Sequence, residues 1–269
     1  MKIKPSENLR LFGLDRNFTE IMNLYLNNSM PNKILLSGKK GIGKSTLAYH
    51  LINYILSADE DDKYDINKLT ISNNNKSYKL LKVNSHPNFY LIDVIDKKKI
   101  IEISQIRSMI DYTNKSSFNT LPRFILIDNI ENLNKNSNNA LLKVIEEPNE
   151  NIFFILINNN EKYILPTLKS RCLNFRINLT YEQSLEITNS ILNVDLNNLI
   201  NKELINHYLT PGEFIQLINF SKEKKINLKE ISLIDLINII IQDSLYKKNI
   251  YVKNLIYNLI QMFFLKIYK

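Results

Sequence analysis

The feature that most constrains this chain is a glycine-rich stretch, residues 33–46, which reads K-I-L-L-S-G-K-K-G-I-G-K-S-T. The apolar run Ile34–Leu36 predicts a short buried strand, and the pattern from Ser45 to about Ile55 predicts an amphipathic helix. The spacing between them matches G-x-x-x-x-G-K-[ST], a phosphate-binding loop that joins a strand to a helix. The chain has only 5 glycines, and three of them lie here. A chance glycine-rich turn is therefore a weak alternative to nucleotide binding.

Each residue type in this loop suits a phosphate ligand. Glycines let successive backbone N–H groups point at phosphate oxygens. Lys44 reaches the outer phosphates as a point charge, and Ser45 offers a hydroxyl to Mg²⁺. The positive N-terminal end of the following helix points at the same phosphates. We therefore expect the nucleotide to be held by Gly38, Lys39, Lys40, Gly41, Ile42, Gly43, Lys44, Ser45 and Thr46.

A second part of this site is predicted where another apolar run ends. Phe124–Ile127 reads as a strand and is followed by Asp128. In phosphate-loop proteins an acid at this point helps to hold Mg²⁺, directly or through water. The alternative is a strand-terminal aspartate that caps a turn. Because the phosphate loop is present, we expect Ser45 and Asp128 to form the Mg²⁺ site.

The distribution of apolar runs predicts the fold. Five runs read as strands: Ile34–Leu36, Phe89–Ile92, Phe124–Ile127, Ile152–Ile157 and Leu173–Ile177. They are nearly continuous in hydrophobicity, which is typical of strands buried on both faces of a parallel sheet. Helical patterns separate them. The alternation predicts an α/β fold in which a five-stranded parallel sheet has helices on both faces.

Two other regions differ in character from this alternation. Residues 58–84 are acidic and then Asn-rich, which predicts a long loop of weak structure. Beyond about residue 178 only helical patterns continue, among them 196–209 and 228–245. We therefore expect a nucleotide-binding domain over 1–178, a small helical lid domain over 179–222 and a short C-terminal helical collar segment over 223–269.

Composition adds limits on partners and location. The net charge of +8 and the pI of about 9.2 permit contact with nucleic acid, but lysines are scattered along the whole chain. The single cysteine, Cys172, excludes a disulfide framework and suits a reducing compartment. The N-terminal residues lack an apolar signal core, and polar residues interrupt the apolar stretches near 231–241 and 255–267. We expect a cytoplasmic protein without a membrane partner.

Two short motifs carry a resemblance to a known family. Residues 136–148, N-S-N-N-A-L-L-K-V-I-E-E-P, resemble the A-N-A-L-L-K-x-L-E-E-P signature of bacterial clamp-loader subunits. The triplet at 170–172, S-R-C, resembles a second motif of these subunits, which are proteins of the AAA+ type. Three further stretches are similar to the same family: Leu11–Gly13, His86–Asn88 and Ile103–Arg107. The resemblance covers about residues 10–177 and is thin afterwards.

The resemblance implies roles for further residues. Arg171 would be an arginine finger that reaches the ATP of a neighbouring subunit, since its charge is permanent and its donors form a fixed fork. Asn158 or Asn159 would be the polar sensor at the end of a strand, and we count Asn158 among the nucleotide contacts. The implied ligands are ATP or ADP with Mg²⁺. The implied partners are gamma or tau motor subunits and a delta subunit in a hetero-oligomeric ring, a sliding clamp, and primed DNA.

Departures from the family pattern bear on activity. AAA+ ATPases carry a water-activating Glu after the Mg²⁺-binding Asp, whereas this chain has Asn129. Loss of a general base costs about 10²–10⁴ in rate, and Glu131 is expected to point elsewhere. Glu213 follows Gly212 where related chains carry a second-sensor Arg, so it either repels the phosphates or points away from them. Residues 58–84 lack the four cysteines of the motor subunits' zinc module, so we expect no zinc.

These departures favour a subunit that binds ATP or ADP, has weak or no ATPase of its own, and braces the ring. A gamma/tau-like motor subunit that hydrolyses ATP is the first alternative. A phosphate-loop kinase for a small molecule is another, although the S-R-C triplet has no role in such an enzyme. A stand-alone nucleic-acid-binding module is the third, and no recognition motif supports it.

Overall fold

The computed structural model describes residues 4–95, 99–116, 118–147, 151–242, 244–248 and 250–267. The chain divides into two compact units, residues 2–178 and residues 179–269. Among the residues described, no helix combines the length and the apolar character needed to cross a membrane.

The N-terminal unit is built on a five-stranded parallel sheet. Its strands are β1 (Lys33–Ser37), β2 (Phe89–Ile92), β3 (Arg123–Ile127), β4 (Ile152–Asn158) and β5 (Leu173–Arg176). They lie in the order β2-β3-β4-β1-β5, and every neighbouring pair is parallel. The α-helices of this unit are α1 (Asp15–Leu26), which precedes β1, and α2 (Lys44–Leu56), α3 (Lys76–Lys82), α4 (Ile103–Thr113), α5 (Lys135–Glu146) and α6 (Pro166–Lys169).

Helices cover both faces of this sheet. Leu35 of β1 belongs to a buried cluster that the apolar faces of α4 and α5 complete. On the opposite face, the ring of Tyr25 in α1 contacts Phe153 of β4, and the ring of Tyr49 in α2 contacts Phe89 of β2. The central strands β1, β3 and β4 are therefore buried on both sides, which explains their continuous hydrophobicity. The predicted fold class is confirmed.

The prediction of a weakly structured loop at residues 58–84 is wrong. The segment contains α3, and the side chains of Tyr64, Leu69 and Ile71 are buried. Its backbone pairs with the N-terminal segment: the Leu11 N–H donates to the Leu69 carbonyl at 3.0 Å, and the Ile71 N–H donates to the Leu9 carbonyl at 2.8 Å. The segment is thus packed against the rest of the N-terminal unit.

Asn75 is the central polar residue of that segment. It is fully buried, and its Oδ1 accepts from the Tyr78 N–H at 2.6 Å, which caps α3. The same oxygen accepts from Asn53 Nδ2 of α2 at 2.8 Å, and Asn75 Nδ2 donates to the Asp62 carbonyl at 2.7 Å. One asparagine therefore ties the segment to α2 through side-chain hydrogen bonds.

The C-terminal unit is helical. Its helices are α7 (Tyr181–Leu192), α8 (Leu196–Leu199), α9 (Lys202–Ile205), α10 (Pro211–Lys224), α11 (Leu233–Gln242), α12 (Leu245–Lys248) and α13 (Ile250–Ile267). A continuous helix over 196–209 is a wrong prediction, because Asn201 caps a new helix by accepting from the Leu204 N–H at 2.9 Å. The helix predicted over 228–245 begins only at Leu233.

One hydrophobic core runs through this unit, from Leu196 to Met262. It includes residues on both sides of position 222, and α10 continues through that position to Lys224. The division of the unit into a lid over 179–222 and a collar over 223–269 stays a prediction.

Asparagine supplies many of the left-handed backbone positions in this glycine-poor chain. Positive φ angles occur at Asn28, Asn84, Asn129, Asn151, Asn160 and Asn193. Asparagine tolerates this region better than most residues because its short side chain bonds locally. Asn129, with φ at 57°, lies directly after Asp128.

Candidate nucleotide-binding site

The phosphate loop requires glycine at three positions. Gly41 and Gly43 have φ of 85° and 96°, in the left-handed region where a side chain is strained. A Cβ on Gly38 would lie 2.3 Å from the Ile177 carbonyl oxygen. The loop therefore passes too close to the end of β5 for any side chain at Gly38, and α2 begins directly after Gly43.

Lys44 is folded onto this loop. The residue is 3% exposed, and Nζ donates to the carbonyls of Gly38 at 2.9 Å and Lys39 at 2.7 Å. Burial lowers the pKa of Lys44 to about 8, and the nearby charges of Asp128 and Glu131 oppose that shift. The ammonium is thus held inside the loop, where a phosphate group would be enclosed.

Ser45 and Asp128, the two residues expected to form the Mg²⁺ site, are in contact. Ser45 Oγ donates to Asp128 Oδ2 at 2.5 Å, and Asp128 Oδ1 accepts from the Asn129 N–H at 2.7 Å. Burial raises the pKa of Asp128 above its usual range. A hydroxyl and a carboxylate at the start of a phosphate-loop helix are the hard oxygen ligands that Mg²⁺ takes. The donor set present therefore fits Mg²⁺.

The other loop residues make different contacts. Lys40 Nζ lies 3.2 Å from Glu161 Oε1 in an exposed ion pair, and Ile42 is buried. Thr46 Oγ1 accepts from Asn8 Nδ2 at 3.1 Å. The N-terminal segment is therefore attached to the first turn of α2 beside the phosphate loop.

A chain of amide and carboxylate contacts crosses the ends of three strands beside this site. Asn129 Nδ2 donates to Asp93 Oδ1 at 2.7 Å, and Asn159 Nδ2 donates to Asn129 Oδ1 at 2.9 Å. Asp93 follows β2, Asn129 lies beyond β3 and Asn159 follows β4. Asn129 is therefore a link between its two neighbours rather than a free side chain.

Sequence reasoning did not identify Asp93 as a site residue. Burial, together with the negative charge of Asp128, raises the pKa of Asp93 to about 6. The signal was available, because Asp93 directly follows the predicted strand Phe89–Ile92, and the carboxyl ends of parallel strands meet at one edge of the sheet.

The two sensor candidates are placed differently. Asn158 uses its amide in a local turn, since Nδ2 donates to Asn160 Oδ1 at 2.9 Å and Oδ1 accepts from the Asn160 N–H at 3.0 Å. The Asn159 side chain instead reaches Asn129. Its backbone N–H donates to the buried carboxylate of Glu131 at 3.2 Å and 3.3 Å. Asn159 is thus the member of the pair that joins the contacts around Asp128.

Arg171 lies near the amino ends of the parallel strands, whereas the phosphate loop lies at their carboxyl ends. β5 begins at Leu173, which pairs with Ile34 near the start of β1, whereas the loop follows Ser37 at the end of β1. The guanidinium is exposed and donates to Glu146 Oε1 at 2.6 Å and to the Thr167 carbonyl at 2.9 Å. The chain does not bring Arg171 to its own loop.

Glu213 has a local structural task in the C-terminal unit. Its carboxylate accepts from the Thr210 N–H at 2.7 Å and from Asn258 Nδ2 at 2.9 Å. Thr210 Oγ1 accepts in return from the Glu213 N–H at 3.3 Å, which completes a capping box at the start of α10. The spacing Thr-x-x-Glu is a sequence signature of such a box and predicts this role for the acid.

The surroundings of Cys172 disfavour its thiolate form. Burial raises the pKa of its thiol to about 11. The thiol is protonated at neutral pH and packs beside the cluster under α4 and α5.

Comparison with known proteins identifies the family. The family model described as "DNA polymerase III, delta subunit" matches residues 14–180, more than half of the chain. The chain belongs to this family. The match spans the phosphate loop, Asp128, the signature helix α5 and Arg171. The resemblance predicted from the sequence motifs is confirmed.

Curated relatives carry names from the same polymerase. The DNA polymerase III subunit gamma of Buchnera aphidicola subsp. Schizaphis graminum is 31% identical over 185 residues, which cover 68% of this chain and 48% of that protein. The subunit delta' of Pseudomonas aeruginosa is 30% identical over 139 residues, with coverage of 52% and 40%. The delta' subunit of the same Buchnera is 27% identical over 166 residues, with coverage of 62% and 48%. The chain spans about half the length of these relatives or less.

A solved structure also matches in part. The RuvB Holliday junction branch migration motor of Thermotoga maritima is 14% identical, with a TM-score of 0.46, over 83% of this chain and 69% of that one.

Proposed function

We propose that this member of the DNA polymerase III delta subunit family is a delta-prime-like clamp-loader subunit. It binds ATP or ADP with Mg²⁺, braces a hetero-oligomeric ring, and offers Arg171 to the nucleotide of a neighbouring subunit. The observation that carries the proposal is the separation of two functional groups. The phosphate loop lies at the carboxyl ends of the parallel strands, and Arg171 lies exposed near their amino ends.

The proposed site assigns a role to each group. Backbone N–H groups of residues 38–43 and the start of α2 surround the phosphates, and Lys44 exchanges its carbonyl partners for phosphate oxygens. Ser45 and Asp128 hold Mg²⁺, which neutralises phosphate charge when bound. Asn159 acts as the polar sensor, because it contacts Asn129, the residue next to Asp128. Asn158 remains a backbone-level neighbour of the loop, since its carbonyl accepts from the Gly38 N–H at 3.2 Å.

The finger role follows from the chemistry of Arg171. A guanidinium keeps its charge at any physiological pH and presents donors in a fork that matches phosphate oxygens. In its present contact it binds one carboxylate and one carbonyl, both exposed to solvent. Exposed pairs of this kind are weak, so the guanidinium is free to transfer to a phosphate supplied in trans.

The proposed partners are those of a clamp loader in the cytoplasm. They are gamma or tau motor subunits and a delta subunit in the ring, a sliding clamp, and primed DNA reached through the complex. Contact with DNA would use phosphates and shape rather than base sequence. The curated relatives that carry the names gamma and delta' support this assignment.

The test is single-turnover ATP hydrolysis by the purified chain, alone and then mixed with motor and delta subunits. We expect ATP binding with little turnover by the chain alone. We expect stimulation in the mixture that depends on Arg171. A chain that binds no nucleotide, or a mixture that hydrolyses ATP equally well without this chain, would contradict the proposal.

A gamma/tau-like motor role is the second candidate. It is favoured by the 31% identity to a gamma subunit and by the carboxylate of Asp93 beside Asn129. Rapid multiple-turnover ATPase in the isolated chain, abolished by Lys44→Ala, would support it over the bracing role.

A further inference from the structure

We propose that Asp93 is the carboxylate that orients and deprotonates the water attacking ATP in this site, with Asn129 as its positioning residue. The inference rests on the proposed nucleotide site. It goes beyond that site because it supplies a route to slow hydrolysis in a chain that lacks a Glu after Asp128.

The first observation is the position of Asp93 in the sheet. Ile92 at the end of β2 pairs with Ile127 at the end of β3, so Asp93 and Asp128 follow neighbouring strand ends. The phosphate loop leaves the same edge, at the end of β1. In open parallel sheets ligands bind outside the carboxyl ends of the strands. Asp93 is therefore at the edge where the γ-phosphate of a bound nucleotide would lie.

The second observation is the orientation of the Asp93 carboxylate. Oδ1 accepts from the Val94 N–H at 2.6 Å and from Asn129 Nδ2 at 2.7 Å. No donor to Oδ2 occurs among the residues that the structure describes. The residue is half-buried, so water reaches it. The carboxylate is thus fixed through one oxygen and keeps the other available as an acceptor.

The third observation is that Asn129 is itself held from both sides. Its Nδ2 donates to Asp93 and its Oδ1 accepts from Asn159 Nδ2 at 2.9 Å. A carboxylate at position 129 would have no proton to donate to Asp93 and would face a like charge. The contact therefore accommodates one carboxylate and one carboxamide. In the AAA+ ATPases that this chain resembles, the water-activating carboxylate directly follows the Mg²⁺-binding Asp. Here the carboxylate of Asp93 follows the neighbouring strand β2.

The proposed step is ordinary hydrolysis of ATP by water. The water oxygen forms a bond to the γ-phosphorus as the bond from that phosphorus to the β–γ bridging oxygen breaks. The bonding electron pair leaves with ADP. The proton of the attacking water passes to Asp93 Oδ2 and then to solvent, which leaves inorganic phosphate as the second product.

The experiment compares wild type with two variants and a control. Asp93→Asn removes the charge at constant shape, and the double variant Asp93→Asn/Asn129→Asp exchanges the two groups isosterically. Asp111→Asn on the exposed side of α4 is the matched control. Single-turnover hydrolysis is measured in the chain alone and in the reconstituted complex. The affinities for ATP and for ADP are measured by titration calorimetry.

We expect Asp93→Asn to lower the single-turnover rate by about 10²-fold or more, the range for loss of a general base. The exchange variant should recover part of that rate. Because Asp93→Asn removes a negative charge that faces the γ-phosphate, it should tighten ATP binding several-fold and leave ADP binding unchanged. Asp111→Asn should behave as wild type.

The outcomes separate this inference from the proposed function. A wild-type chain that binds neither ATP nor ADP contradicts the nucleotide site itself. A chain that binds ATP but shows no turnover alone or in the complex overturns the role of Asp93. So does a rate that Asp93→Asn leaves intact, or an unchanged ratio of ATP to ADP affinity.

Discussion

Arg171 Nη2 lies 2.6 Å from Glu146 Oε1, so the candidate arginine finger is bound to the last residue of α5, the helix that carries the family signature. Both side chains are exposed, and such pairs contribute about 0.2–1 kcal/mol. The contact therefore orients the guanidinium but is weak enough to be exchanged for another partner. It also links the two motifs on which the family resemblance rests.

Arg171→Ala should leave folding and nucleotide binding by the chain intact and lower the ATPase of the reconstituted complex. We expect a loss of at least about 10-fold, because fingers in related reactions contribute 10³–10⁵ to kcat. Arg176→Ala on β5 is the control, since Arg176 is also exposed. Complex ATPase that is unchanged in Arg171→Ala would remove the finger assignment.

Lys44→Ala should lower the affinity for ATP and ADP by at least about 10-fold. Hydrogen bonds from a charged donor contribute about 1.5–3 kcal/mol, and Lys44 is the buried ammonium in the phosphate loop. Titration calorimetry measures the loss. Lys169→Ala removes an exposed lysine from α6 and should bind as wild type. Equal affinities in both variants would argue against a nucleotide at this loop.

Asn129→Glu alone should not create an efficient ATPase. The new carboxylate would face Asp93, whose Oδ1 now lies 2.7 Å from Asn129 Nδ2. It could turn away from Asp93 only by giving up the hydrogen bond that Asn159 Nδ2 now donates to position 129. Like charges this close disfavour the ionised form of one of them. Multiple-turnover assays at neutral pH provide the test. Robust turnover by the single variant would show that Asp93 does not restrict this position.

Asn75→Ala should destabilise the N-terminal unit by about 2–4 kcal/mol, since it removes a helix cap and two further buried hydrogen bonds. Asn74→Ala next to it is exposed and should change stability by less than about 0.5 kcal/mol. Urea denaturation compares the two. Because side-chain and backbone hydrogen bonds hold residues 58–84, we also expect a chelator such as EDTA to leave the wild-type midpoint unchanged.

Stability should fall as the pH falls from about 6.5 to about 4, with His50 as one cause. Burial lowers the pKa of His50 to about 4, and the ring is held between the Tyr64 hydroxyl at 2.9 Å and the Asn8 carbonyl at 3.0 Å. The unfolded chain binds a proton below about 6.5, whereas the folded chain binds it only below about 4. The unfolded state is therefore favoured increasingly across this window.

The His50 contribution to this acid destabilisation amounts to at most about 3 kcal/mol. His50→Gln lowers stability at every pH but should flatten its slope between pH 7 and 4. Urea midpoints measured across that range give the slope. Parallel curves for wild type and variant would assign the acid sensitivity to other groups, such as the buried His86.

The strands were predictable because each is a continuous run of apolar residues, a local pattern that can be identified without knowing which residues it contacts. Residues 58–84 were not, because their order depends on polar contacts between distant positions, such as Asn53 with Asn75 and Leu11 with Leu69. Asn and Asp in such contacts have the same local pattern as in a loop. The break near Asn201 was missed for a related reason, since a cap competes with an otherwise helical pattern.

Within the site, the loop residues were predictable from motif spacing, and Asp128 was predictable from its place after an apolar strand. The choice between Asn158 and Asn159 did not, because the sequence does not specify which of two consecutive amides turns toward Asn129. Glu213 occupies a position where related chains carry an Arg, but its spacing from Thr210 predicts the capping box that the structure contains. Asp93 was recognisable as the residue after a predicted strand, but its contact with Asn129 also required the strand order, which places β2 beside β3.

Arg171 and the phosphate loop lie at opposite ends of the strands of one sheet, and this placement restricts the symmetry of an assembly. A contact in which the arginine of one subunit enters the loop of the next joins two different surfaces, so it is heterologous and has a direction. A two-fold dimer, which pairs identical surfaces, does not form it. An assembly built on this contact is a directional, head-to-tail row of subunits. In a terminal subunit, either the surface with the arginine or the surface with the loop has no neighbour.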